Sequence, residues 1–67
     1  MKHIKINGVA YEAVQATEEE ILNNNLIIEP GEPCGRQECR YGYIWVYIDD
    51  LDIGGCKWYK TNAQCNE

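Results

Sequence analysis

Apolar and polar side chains alternate from His3 onward, with Ile4 and Ile6 before an Asn7-Gly8 pair and Val9, Tyr11 and Ala13 after it. A period of two marks a strand with one wet face, and Asn-Gly suits a type I′ turn, which needs positive φ at both central residues. The pattern predicts a β-hairpin over residues 3–14. Its polarity then changes. Thr17-Glu18-Glu19-Glu20 has the spacing of a capping box, in which the threonine hydroxyl accepts from the third helical N–H and the glutamate reaches back. A helix is predicted over residues 18–24, stopped by Asn23-Asn24-Asn25. So short a helix cannot stand alone in water, so Ile21 and Leu22 are expected to pack on a sheet.

Leu26-Ile27-Ile28-Glu29 reads as a short buried strand closed by Pro30-Gly31. Two prolines and two glycines fall between Pro30 and Gly35, so residues 32–40 are expected to form a loop. The next run, Tyr41-Gly42-Tyr43-Ile44-Trp45-Val46-Tyr47-Ile48, is the strongest strand signal in the chain. Alternation puts Tyr41, Tyr43, Trp45 and Tyr47 on one face and Ile44, Val46 and Ile48 on the other. The aliphatic face reads as core. The aromatic face reads either as the covered second side of a central strand or as a binding surface. Asp49-Asp50-Leu51-Asp52 and Gly54-Gly55 turn the chain into a last strand, residues 56–60, that carries Trp58 and Tyr59. The polar residues 61–67 read as a tail tethered by Cys65. The elements add up to a small α+β domain spanning residues 1–67. It has a mainly antiparallel sheet, made of the N-terminal hairpin plus two or three further strands, with one short helix.

Size changes the picture. A chain of 67 residues buries only about 60% of the surface it exposes when unfolded. The aliphatic side chains are few and phenylalanine is absent, so the four cysteines are expected to staple the fold. Cys34, Cys39, Cys56 and Cys65 fit three readings: a tetrathiolate zinc site, two disulfides, or buried thiols. Arg36, Arg40 and Lys57 would offset the charge of a zinc-thiolate centre, although neither cysteine pair has two-residue knuckle spacing. Spacing cannot choose among the three disulfide connectivities.

Charge and motifs narrow the function. A net charge of −5 and a pI near 4.7 argue against nucleic-acid binding, which needs a basic footprint. No apolar run approaches the ~20 residues of a membrane span. Met1-Lys2-His3-Ile4 leads straight into strand alternation with no signal-peptide core, which is read as a cytoplasmic location. His3 is the one histidine and has no nucleophile pattern beside it. Asp50-Leu51-Asp52 resembles the start of a calcium loop, but the twelfth position is Thr61 rather than glutamate. The chain is therefore read as not an enzyme.

Ile6-Asn7-Gly8-Val9-Ala10-Tyr11-Glu12-Ala13-Val14 resembles the opening of short bacteriophage and mobile-element proteins. Gly55-Cys56-Lys57-Trp58-Tyr59 is similar to the Gly-Cys-x-aromatic-aromatic stretch of their cysteine-containing members, although a helix and a long loop separate the two pieces here. The resemblance implies an accessory protein that binds and inhibits a host protein. On this reading the chain is a protein-binding module whose contact residues are Tyr43, Trp45, Tyr47 and Trp58. The alternatives are a secreted, disulfide-stapled carbohydrate-binding module that uses the same rings, or a structural zinc domain of a larger assembly.

Overall fold

The computed structural model describes residues 2–49 and 54–66, so the aspartate-rich turn at residues 50–52 lies outside it. The first hairpin joins β1 (Lys2–Ile6) to β2 (Val9–Gln15) in antiparallel register, with Ile6 opposite Val9 and Ile4 opposite Tyr11. Asn7 at φ 52° and Gly8 at φ 84° supply the two left-handed residues of the turn. The remaining strands are β3 (Gln37–Arg40), β4 (Tyr43–Asp49) and β5 (Cys56–Gln64). The sheet runs in the order β1-β2-β5-β4-β3, and every neighbouring pair is antiparallel. The last strand in sequence is thus the central one.

The connection from β2 to β3 carries α1 (Glu18–Asn23). Both halves of its capping box form: Glu20 N donates to Thr17 Oγ1 at 3.1 Å, and Thr17 N donates to Glu20 Oε1 at 3.0 Å. At the other end Asn25 takes φ 55°. Its N–H bonds the Leu22 carbonyl, and the Leu26 N–H bonds the Ile21 carbonyl, which is the Schellman pattern. Leu26 is thereby turned under the helix. That explains why residues 26–29, read as a strand from sequence, belong to no strand: the cap has already spent the backbone of Leu26. Leu22, expected on the sheet, is 76% exposed, and Ile21 alone of the two packs on the core. Replacing Thr17 with alanine is expected to cost about 1 kcal/mol, seen as a lowered urea midpoint at unchanged slope.

Three further differences from the sequence reading follow from pairing. Residues 37–40 form an edge strand rather than loop, because β4 offers a ladder and the pairs Gln37–Val46 through Arg40–Tyr43 close it. Tyr41 and Gly42, read as the start of the aromatic strand, are the turn of this second hairpin, at φ 55° and 80°. Tyr41 is 72% exposed, outside the aromatic row. The tail up to Gln64 continues β5, and Thr61 and Ala63 are buried. A register shift in β4 lies between Tyr43 and Trp45. The Thr61 hydroxyl bridges it, donating to the Ile44 carbonyl at 2.7 Å and accepting from the Ala63 N–H at 3.2 Å.

Each sheet face builds its own core. On one face Ile6, Ala13, Val46, Tyr59 and Ala63 are buried, with Ile4, Tyr11, Ile44 and Ile48 packed against them. On the other, Trp45 and Trp58 are buried with Ala16 and Leu26, and Ile21, Ile28 and Tyr47 pack around them. The aliphatic side of β4 is core, as alternation predicts.

Candidate interaction surface

The four cysteines are joined as Cys34–Cys56 and Cys39–Cys65, with Cα separations of 6.0 and 6.2 Å. A sulfur held in a disulfide has no thiolate to give a metal. The zinc reading of Cys34, Cys39, Cys56 and Cys65 therefore finds no support, and among the described residues no His/Cys/Asp/Glu cluster could hold a metal ion. Cys39–Cys65 ties edge strand β3 to the end of β5 across β4. Cys34–Cys56 ties the loop before β3 to the start of β5.

The aromatic row is divided. Trp45 is 2% exposed and Trp58 3%, both sealed by the segment that runs from Ala16 to Ile28. The Trp45 Nε1–H donates to the Arg40 carbonyl at 3.3 Å. Tyr47 is half-buried, its ring 5.4 Å from Trp58 at 47°. Of the four residues expected to meet a partner, the two tryptophans are therefore interior, since the covering segment docks on the face that alternation left open. Tyr43 is half-buried at the uncovered end.

That uncovered end is a groove. Trp58, Lys60 and Asn62 of β5 share one face, as do Trp45 and Tyr43 of β4 and Glu12 and Val14 of β2. Beyond the covering segment, Glu12, Val14, Tyr43, Lys60, Thr61 and Asn62 line a shallow, open cleft of ≈ 340 Å³. Val14 is 60% exposed in it. The Lys60 ammonium stands 5.4 Å from the Tyr43 ring and 5.7 Å from the Trp45 ring, within reach of cation–π attraction. Exposed Asn62 accepts from the Glu12 N–H through Oδ1 at 3.1 Å.

Sequence reasoning missed Val14 and Lys60 here. The signal for Lys60 was present, because strand alternation puts it on the same side as Trp58. Val14 carried no such signal, since its exposure depends on how far the cover reaches.

A second polar cluster, Arg36 with Glu32 and Glu38 plus Arg40 with Glu38, lies on the loop and edge strand. The hydrogen bond from Arg36 to Glu38 raises the guanidinium pKa further above its ordinary value. Surface pairs of this kind contribute little to stability. Both arginines instead reach the covering segment: Arg36 Nη1 donates to the Ile27 carbonyl at 2.9 Å, and Arg40 Nε to the Asn24 carbonyl at 3.0 Å.

Fold and surface together define a small α+β domain, a disulfide-stapled five-stranded antiparallel sheet with one short helix. No protein-family model matches the chain, nor does any curated protein or solved structure.

Proposed function

We propose that the chain is a non-enzymatic protein-binding module that meets its partner with the open half of the helix-bearing sheet face. The observation that carries this reading is the groove at Val14, Tyr43 and Lys60. An exposed valine of β2 and a half-buried tyrosine ring of β4 border a cation of β5 there, and the two disulfides tether the two ends of β5. Tyrosine is among the residues that protein interfaces enrich, the exposed valine beside it supplies apolar surface to bury, and a rigid scaffold lowers the entropy lost on binding. Two disulfides in so short a chain support action in an oxidising compartment rather than the cytoplasm. The phage resemblance adds a class of partner, a host protein that meets that compartment.

Sugar binding is the second reading, favoured by the placement of Asn62 and Glu12 beside the Tyr43 ring. A pyranose needs a free ring face to stack on, and the Lys60 ammonium lies over Tyr43. That favours a protein partner, whose carboxylates could pair with Lys60.

The oxidised protein, immobilised and exposed to host envelope extract, is expected to retain one polypeptide at equimolar amount. Val14→Arg is expected to weaken that capture by roughly tenfold or more, as loss of a central contact does. Capture that is indifferent to Val14→Arg, or saturable binding on a glycan array lost in Tyr43→Ala, would sink the protein-binding reading.

A further inference from the structure

We propose that Cys34–Cys56 is a reducible latch, and that opening it frees the segment covering Trp45 and Trp58 while the sheet stays intact. The two disulfides differ in access. Cys34 is exposed on its loop, next to Gly35 at φ 113°, while its partner Cys56, like Cys39 and Cys65, is half-buried. Exposed disulfides are the ones that thiols attack first.

The cover is lightly held. No residue of α1 is fully buried. Leu26 is the one fully buried large side chain that the cover contributes, with Ile21 and Ile28 packed less completely. At its start the Ala16 N–H donates to the Trp58 carbonyl at 2.9 Å. Beyond its end at Ile28, the chain is fixed by Cys34–Cys56 and by two backbone bonds between residues 35–36 and Tyr47. The arginine bonds to Ile27 and Asn24 reach it from half-exposed side chains. Beneath it, the Trp58 Nε1–H is buried with no acceptor among the described residues, and opening would return it to water. Cutting the covalent tie widens the conformational freedom of the cover, which opposes the contacts that Leu26, Ile21 and Ile28 make with the two tryptophans.

The chemistry is thiol–disulfide exchange with a dithiol reductant. Its thiolate attacks Cys34 Sγ, the S–S bond breaks, and Cys56 leaves as thiolate and takes a proton. The reductant's second thiolate then displaces Cys34, closing the reductant's own disulfide, so two electrons pass from reductant to protein. The uncovered surface would carry Trp45, Tyr47 and Trp58, on the same sheet face as the groove and next to it. The proposal does not depend on what the groove binds.

The test is a timed dithiothreitol titration of the oxidised protein, quenched with iodoacetamide and mapped by mass spectrometry. Acrylamide quenching of tryptophan fluorescence and far-ultraviolet circular dichroism are read on the same samples. Cys34 and Cys56 are expected to be alkylated at least roughly tenfold faster than Cys39 and Cys65. The species with that one disulfide reduced should show about a twofold or greater rise in quenching, with its sheet signal retained. The double variant Cys34→Ser/Cys56→Ser should show the same quenching without reductant. Simultaneous reduction of both disulfides, quenching unchanged after Cys34–Cys56 opens, or loss of the sheet signal in that species each overturns the proposal. If the double variant does not fold, the titration of the natural protein still decides.

Discussion

Trp45→Ala is expected to remove about 3–5 kcal/mol, roughly a third or more of this protein's stability. The ring is 2% exposed on β4, enclosed by Ala16, Leu26 and Trp58, and its indole N–H holds the Arg40 carbonyl at the end of β3. Truncation would leave a cavity that so thin a domain cannot collapse around, because the opposite sheet face is already occupied by a second core. A chain of this length has a total stability of about 3–10 kcal/mol, so the loss takes a large share of it. Urea unfolding of the oxidised protein, followed by circular dichroism, measures it. Tyr43→Ala serves as the contrast: its ring is half-buried at the open end, and a cost nearer 1 kcal/mol is expected. A Trp45→Ala variant with an unshifted midpoint would return this ring to the surface and restore an exposed aromatic row as a binding face.

Removing Cys39–Cys65, as the double variant Cys39→Ala/Cys65→Ala, is expected to cost about 3.5 kcal/mol, the chain-entropy value for a loop of this size. Its sequence separation is 26 residues. The bond spans from edge to centre of the sheet, where β3 otherwise pairs with β4 alone, through four residue pairs. Without it the edge strand and the Tyr41-Gly42 turn rely on those pairs and on the Cys65 N–H to Gly42 carbonyl bond at 2.9 Å. The melting temperature should fall by roughly 15–25 °C for a domain this small. A fall below about 5 °C would mean that the strands hold themselves and the staple is redundant. The other disulfide has a similar separation, 22 residues, so its chain-entropy contribution is similar. The two differ in what they hold: Cys39–Cys65 secures a ladder strand, and Cys34–Cys56 secures a loop and the cover that precedes it.

Several features were legible in the sequence because their causes lie within a few residues. Asn7-Gly8 demands two left-handed conformations wherever it folds, so the first hairpin could be placed without any partner. Thr17 and Glu20 satisfy each other's backbone groups across a single helical turn. The alternation in β4 fixes that Ile44, Val46 and Ile48 share a side, whatever packs there. Four cysteines in so small a chain announced a staple, though not its connectivity.

The rest depended on residues distant in sequence. Gln37–Arg40 has weak strand character and became a strand because β4 lay beside it. Thr61–Gln64 looks like a polar tail and became part of the central strand, its threonine bridging a register shift. Tyr41 looked like the first of four aligned rings and was taken by a turn. The candidate site moved for the same reason. Parity along one strand says which side chains share a face, but not whether another segment will lie across it. The sequence by itself determined the turns, the helix cap and the two-sidedness of the strands, which are set by local φ requirements and nearest hydrogen bonds. Tertiary structure alone decided which sulfurs joined, which rings were sealed and where the surface stayed open, because burial is settled only when distant segments compete for the same face.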